Sequence, residues 1–277
     1  MQRRFSQLDV FTREPLRGNP LAVVHDGSGL SDAQMAAFAR WTNLSETTFL
    51  LPPTDDSADY RVRIFTPARE LPFAGHPTLG SCQAWLAGGG RPRRDGEVVQ
   101  QCGVGLVRIR RDGARLAFAA PPLLRSGAAD ADTRARLAHC LRVPETMLPA
   151  VQWVDNGPGW VAALLPDADA VLALKPDFAA MAELKVGVIG PYAAGSECAF
   201  EVRAFVPALS VPEDPVTGSL NAGLALWLID AGIAPPSYVA AQGAALGRAG
   251  RVHVQRAHGQ TWIGGDVCTV VTGTVAL

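Results

Sequence analysis

The sequence predicts an α+β protein built of two pseudo-symmetric domains, each a β-barrel-like sheet wrapped around a central helix. Three observations carry this prediction. A strand-like run that ends in proline occurs twice, at residues 62–67 and 202–207. Each run is followed by a segment of small and chemically reactive residues, at residues 70–80 and 213–223. Each segment leads into a charge-free stretch, and a helix without a polar face must be surrounded by protein.

The first half of the chain alternates strand signals with two helix signals. Strands are expected at residues 8–11, 21–24, 47–51, 60–65, 104–109 and 116–119. Ser31 followed by Gln34 is a capping-box pattern and predicts the start of a helix. The first charge-free helix is expected over residues 77–87, with Pro77 in its first turn.

The second half repeats this order. Helices are expected at residues 132–141 and 219–229, and strands at residues 151–154, 161–165 and 199–206. Residues 126–129, after two prolines, are typical of a linker between domains. We therefore predict domains over residues 1–122 and 123–277, with the last strand able to return to the first domain. The substrate site is expected in a cleft between the two domains.

Composition and charge narrow the class of protein. Of 277 residues, 48% are apolar and 18% are charged, and the formal net charge is −1. This balance gives no global field that would attract nucleic acid or a membrane surface. The five cysteines are scattered without a C-x-x-C pair, and the amino terminus lacks the apolar core of a signal peptide. We expect reduced thiols and a cytoplasmic protein.

Glu46 is the first candidate catalytic residue. It is an acid among mostly uncharged neighbours at the entry to an apolar strand. Partial desolvation would raise its proton affinity and suit it to general acid/base work. The alternative is a strand-edge carboxylate that caps a neighbouring backbone group, and spacing alone does not decide between them.

His76, Asp214 and Ser219 stand where the two charge-free helices should begin. A helix start offers unpaired N–H groups and a positive dipole end, so it favours an anion. The alternative for each residue is a structural cap or an ordinary turn. No metal or cofactor is expected, because His253 and His258 lack companion ligands and no Walker, G-x-G-x-x-G or G-x-S-x-G motif is present.

Several segments resemble the phenazine-biosynthesis PhzF-like isomerases. These are residues 9–12, 18–20, 45–47, 70–80, 214–219 and 262–265, in that order along nearly the whole chain. The resemblance implies the diaminopimelate-epimerase-like fold and a homodimer. By motif it makes Glu46 the general acid/base, with His76 and Asp214 handling protons. It places Gly75, Gly218 and Ser219 in the substrate-binding site.

One departure from related folds narrows the chemistry. Related epimerases and proline racemases use a cysteine at each central-helix start, whereas this chain has Gly75-His76 and Gly218-Ser219 there. A two-thiol racemase is therefore disfavoured. We expect a cofactor-independent isomerase that moves a proton on a small unsaturated carboxylate or amino-acid-like substrate. An epimerase or dehydratase on the same scaffold, or a non-catalytic carboxylate-binding protein, remains the alternative.

Overall fold

The computed structural model describes residues 1–209 and 211–277 and divides into two compact units. The first unit contains Met1–Ala119 and Gly264–Leu277, and the second contains Ala120–Ile263. The first unit is therefore discontinuous in sequence, with its last strand supplied by the carboxyl end of the chain.

The first unit has eight strands from the amino-terminal part, two helices and the final strand. They are β1 (Gln2–Val10), β2 (Asn19–Val24), α1 (Asp32–Thr42), β3 (Glu46–Leu51), β4 (Tyr60–Phe65), β5 (Glu70–Leu71), α2 (Gly75–Ala87), β6 (Glu97–Cys102), β7 (Gly105–Asp112), β8 (Arg115–Ala119) and β18 (Val267–Ala276). The predicted capping box is confirmed, since Ser31 and Gln34 bond reciprocally at the start of α1.

Two crossovers place the helices of this unit. β2 and β3 are parallel and joined through α1, with Leu21 opposite Glu46. β4 and β6 are also parallel, and α2 lies in the connection between them. β1 pairs antiparallel with both β2 and β18.

Helix α2 is the central helix of the first unit and packs against β1, β2, β3 and β8. Its close approach to the sheet depends on Gly80, where an added Cβ would lie 2.5 Å from Cδ2 of Leu21. At the other end, Trp85 stacks on Tyr60 with ring centroids 5.3 Å apart. The absence of a polar face in the sequence thus corresponds to a buried helix.

The described residues of the second unit, 120–209 and 211–263, form nine strands and four α-helices. They are β9 (Arg125–Ala128), α3 (Ala131–Leu141), β10 (Ala150–Asp155), β11 (Trp160–Leu164), α4 (Ala168–Ala173), α5 (Phe178–Met181), β12 (Lys185–Pro191), β13 (Phe200–Val206), β14 (Val211–Asp214), α6 (Gly218–Asp230), β15 (Ser237–Gln242), β16 (Gly250–Ala257) and β17 (Gln260–Gly265), which runs past the boundary at Ile263.

The second unit repeats the connections of the first. β11 and β12 are parallel, with Trp160 opposite Lys185. β13 and β15 are parallel and α6 lies in their connection. Gly223 lets α6 approach β10, since a Cβ there would lie 2.3 Å from the carbonyl oxygen of Val154.

The predicted linker at residues 126–129 is wrong. Residues Arg125–Ala128 form β9, which pairs antiparallel with β10. The segment has a strand's backbone pairing without a strand's composition, and Gly127 has a φ of +102°. Its side chains are exposed, so no apolar alternation marks it in the sequence.

The charge-free stretch at residues 71–90 holds α2, which is 13 residues long. Across the two described ranges of the chain, no helix combines the length and hydropathy needed to span a membrane.

Candidate functional site

Glu46 is the first residue of β3, and its side chain is 14% exposed. The strand that follows is buried, and the parallel neighbour Leu21 is fully buried. The carboxylate is therefore held at the end of a rigid strand, in a largely apolar setting that retains some access to solvent.

His76 is the partner that the structure brings to Glu46. Its Nε2 atom lies 3.3 Å from Oε2 of Glu46. Burial lowers the pKa of His76 from 6.5 to about 3, so the imidazole is neutral at neutral pH. The pair is therefore a carboxylate beside a neutral ring, not an ion pair.

Asn19 sets the polarity of this ring. Its side-chain amide nitrogen donates to Nδ1 of His76 across 3.3 Å. An amide NH₂ only donates, so Nδ1 accepts and the ring proton resides on Nε2. The protonated nitrogen of His76 is then the one that lies 3.3 Å from Oε2 of Glu46, without the geometry of a hydrogen bond between them.

The start of α2 lies beside this pair. Its N-cap is Ala74, which offers no side-chain acceptor, and Gly75 and His76 are the first two helical residues. The first N–H groups of a helix have no partner within the helix. This start therefore presents donors and a positive dipole end next to Glu46.

The start of α6 also lacks a side-chain cap, but for a different reason from α2. Its N-cap is Thr217, which makes no side-chain cap bond. The Thr217 hydroxyl instead donates to Oδ2 of Asp214 across 2.5 Å and accepts from Nε2 of Gln242 across 3.0 Å. Asp214 is thus tied to the helix start, while the first N–H groups of α6, from Gly218 onward, remain available to a ligand.

Ser219 is oriented by two donors from one turn. Nε1 of Trp160 donates to its Oγ across 3.0 Å, and Nδ2 of Asn156 donates to its backbone oxygen across 2.8 Å. Ser219 itself is partly exposed. Its hydroxyl is therefore fixed in place on a residue that is partly open to solvent.

The six predicted site residues fall into two groups. Glu46, His76 and Gly75 lie together in the first unit, and Asp214, Gly218 and Ser219 lie around the start of α6 in the second. Their individual roles, and the convergence of both groups on one substrate, stay predictions. Sequence reasoning missed the side chains that orient them, namely Asn19, Asn156, Trp160, Thr217 and Gln242.

In the internal repeat, the position equivalent to Glu46 in the second unit carries a residue of opposite charge. Glu46 opens β3, which pairs in parallel with β2, and Lys185 opens β12, which pairs in parallel with β11. Lys185 donates through Nζ to the carbonyl oxygen of Pro158. The position of Glu46 thus belongs to the repeat, but only the first copy carries an acid there.

Among residues 1–209 and 211–277, no three or more His, Cys, Asp and Glu side chains are grouped so that they could hold a metal ion.

Comparison with known proteins places this arrangement in a family. A family model described as a phenazine biosynthesis-like protein, PhzC-PhzF, matches residues 8–273. The chain belongs to this family. It is 36% identical over 294 residues to Antisense-enhancing sequence 1 of Schizosaccharomyces pombe, covering 98% of each chain. It is 38% identical over 222 residues to a trans-2,3-dihydro-3-hydroxyanthranilate isomerase of Pseudomonas fluorescens, covering 80% of this chain and 78% of the relative.

Solved structures confirm the predicted fold class. A PhzF-family protein of Enterococcus faecalis superposes with a TM-score of 0.83 at 24% identity, covering 100% of both chains. A hydroxyproline epimerase of Agrobacterium vitis gives 0.60 at 14% identity, covering 100% of this chain and 93% of that one. The PhzF family and the relatives named as isomerases also confirm the expectation of an isomerase.

Proposed function

We propose that this PhzF-family chain is a cofactor-independent isomerase that moves a proton on a small unsaturated carboxylate, with Glu46 as the general acid/base. The observation that carries the proposal is the 3.3 Å contact between the Glu46 carboxylate and the neutral ring of His76. A carboxylate held at low exposure beside the His76 ring is suited to taking a proton and returning it.

In the proposed reaction, Glu46 takes a proton from a carbon beside a carbon–carbon double bond. The electron pair of that C–H bond enters the conjugated system, the double bond shifts, and protonated Glu46 returns the proton to a different carbon. Formula and oxidation state are unchanged. The N–H of His76 stabilises Glu46 while it is a carboxylate. Helix-start N–H groups stabilise negative charge that develops on the substrate.

The remaining site residues have supporting roles in this proposal. Asp214 is a second group that gives or takes a proton. Gly75, Gly218 and Ser219 bind the substrate through backbone N–H groups and the Ser219 hydroxyl. The uncapped starts of α2 and α6 support this assignment, because both offer unpaired donors to an anionic group.

The relatives suggest a first substrate to test. The Pseudomonas fluorescens relative is named for trans-2,3-dihydro-3-hydroxyanthranilate, which is a cyclic unsaturated amino acid. We propose a substrate of that class, with a carboxylate beside a conjugated ring.

Glu46→Gln tests the proposal directly. The variant should fold normally and lose kcat by about 10²–10⁴-fold, since an amide cannot exchange the proton. The assay follows conversion of trans-2,3-dihydro-3-hydroxyanthranilate in D₂O, with deuterium uptake read by mass spectrometry. A shifted double bond in the product separates isomerisation from epimerisation, which preserves bond order, and from dehydration, which loses water.

The control is Glu183→Gln, a substitution of the same chemistry at an exposed glutamate of the second unit. It should retain wild-type activity. Full activity in Glu46→Gln, or no deuterium uptake by the wild-type protein, would overturn the proposal.

We also propose a cytoplasmic location and a homodimer, with no nucleic-acid or membrane partner. Five free cysteines support a reducing compartment. Light scattering on the purified chain measures the oligomeric state, and a monomeric mass at micromolar concentration would exclude a stable dimer.

A further inference from the structure

The turn between β10 and β11, residues 155–160, is internally braced. Oδ1 of Asp155 accepts from the backbone nitrogens of Gly157 and Gly159 across 2.7 Å and 2.6 Å. Lys185 donates to the carbonyl oxygen of Pro158 from the neighbouring strand. These bonds fix a glycine-rich turn that would otherwise be mobile.

The same turn is joined to the start of α6 by two hydrogen bonds. Asn156 holds the backbone oxygen of Ser219, and Trp160 holds its hydroxyl oxygen. Trp160 is only 3% exposed, so water competes poorly for its indole N–H. Gly223, one turn further along α6, lets the helix lie directly against β10.

The direction of the bond between Trp160 and Ser219 has a chemical consequence. An indole N–H can only donate, so the Ser219 oxygen accepts and its own hydrogen must point elsewhere. Within the described part of the chain, the Ser219 hydroxyl donates to no protein acceptor. Ser219 is partly exposed, so the hydroxyl hydrogen can reach solvent or a ligand.

We propose that Trp160 is a positioning residue that holds the Ser219 hydroxyl as a hydrogen-bond donor, and so makes this site favour a deprotonated carboxylate over a neutral amide. A carboxylate offers only acceptors, whereas a primary amide also presents donors. The inference rests on the proposed function, which assigns Ser219 to substrate binding. It adds the residue that sets the polarity of that contact.

A pair of probes and a double-mutant cycle test the proposal. Anthranilate and anthranilamide differ only in carboxylate against amide, and isothermal titration calorimetry measures their affinities. The wild-type protein should bind anthranilate more tightly. Trp160→Phe should weaken anthranilate about fivefold to tenfold, the effect expected when one hydrogen bond is lost, and should change anthranilamide little.

The cycle separates positioning from general packing. In a Ser219→Ala background, Trp160→Phe should cause no further loss of anthranilate affinity, because its effect acts through the absent hydroxyl. Trp153→Phe is the matched control, a substitution of the same chemistry in the same hairpin without a bond to Ser219. It should leave both affinities unchanged.

A second measurement keeps the wild-type tryptophan. The indole ¹H–¹⁵N resonance of Trp160 should shift on anthranilate binding and in Ser219→Ala, while that of Trp153 stays in place. An unshifted Trp160 resonance, equal weakening of both probes, additive losses in the cycle, or no binding of either probe would overturn the inference.

These outcomes are distinct from failure of the proposed function. Anthranilate binding with the expected cycle, but without isomerisation by the wild-type protein, overturns the function and leaves Trp160 as a positioning residue. Normal isomerisation with additive losses in the cycle supports the proposed function and overturns the role of Trp160 as a positioning residue.

Discussion

Nδ1 of His76 accepts a hydrogen bond from the side-chain amide of Asn19, which lies 57 residues earlier in the chain, across 3.3 Å. This contact decides which face of the ring carries the proton. Because the other ring nitrogen lies 3.3 Å from Oε2 of Glu46, Asn19 acts on the pair of Glu46 and His76 through the tautomer of the ring.

Asn19→Asp should therefore impair activity through the tautomer of His76. A carboxylate at position 19 accepts from Nδ1–H and either moves the proton away from Nε2 or stabilises a charged ring. We expect kcat to fall by up to about 10²-fold, the lower end of the range for a lost acid/base function. Proton NMR of the His76 ring should report a raised pKa.

The control for this prediction is the melting temperature of Asn19→Asp, which tests whether the fold survives the change. A folded variant with wild-type kcat and an unchanged His76 pKa would contradict the tautomer assignment.

His76 should also make stability depend on pH. Its folded pKa is lowered to about 3, against 6.5 in the unfolded chain. Between these values the unfolded chain binds a proton that the folded chain does not, so stability falls as pH falls. The contribution is complete above pH 6.5, and each pH unit below it costs up to about 1.4 kcal/mol.

Urea unfolding of the wild-type protein and His76→Asn between pH 6.5 and 4.5 measures this effect. The His76→Asn variant should lose the part of the pH dependence of unfolding free energy that His76 contributes. His25→Asn is the comparison variant. Burial and Arg4 lower the pKa of His25 to about 4, so His25 makes a second contribution of the same sign to the pH dependence of stability. Parallel stability curves for wild type and His76→Asn would show that burial does not hold His76 neutral.

Thr217→Val should loosen the start of α6. The substitution keeps the shape but removes the hydroxyl that donates to Asp214 and accepts from Gln242. Loss of these buried bonds should reduce the free energy of unfolding by about 1–3 kcal/mol and raise KM.

Thr217→Ser is the control for that prediction, since it keeps the hydroxyl. It should retain most of the stability and the KM of the wild-type protein. Equal stability of the valine and serine variants in urea unfolding would show that the hydroxyl network does not stabilise this helix start.

Three glycine substitutions should differ in a fixed order. Gly223→Ala places a Cβ 2.3 Å from a backbone oxygen of Val154, whereas Gly80→Ala meets the mobile end of Leu21 at 2.5 Å. Gly273→Ala meets nothing within 4 Å. We expect the largest destabilisation for Gly223→Ala, about 1–3 kcal/mol, less for Gly80→Ala, and almost none for Gly273→Ala.

Thermal unfolding of the three variants checks this order. A stabilised Gly223→Ala would mean that helix propensity outweighs the close approach of α6 to β10, because alanine is the better helix former by about 1 kcal/mol.

The central helices could be predicted because their signal is local. The predicted range 77–87 became Gly75–Ala87, and 219–229 became Gly218–Asp230. Charge-free composition alone requires that such helices be buried. The fold class followed from that and from the order of the repeated segments.

The side chains that orient the site could not be predicted, because their signal is long-range. Trp160 and Ser219 are 59 residues apart, and no pattern within a helix or strand joins them. β9 escaped prediction for a related reason. Its pairing with β10 determines the conformation, while its own residues are exposed and carry no strand propensity.

The discontinuity of the first unit bears on the order in which this chain folds during synthesis. β1 pairs along its full length with β18, from Gln2 opposite Ala276 to Val10 opposite Val267. β1 is made before the second unit, whereas its partner β18 is made after it. The second unit is continuous from Ala120 to Ile263, so it can close while β1 still lacks that edge. The unit that carries Glu46 and His76 therefore gains this strand only after the whole of the second unit has been made.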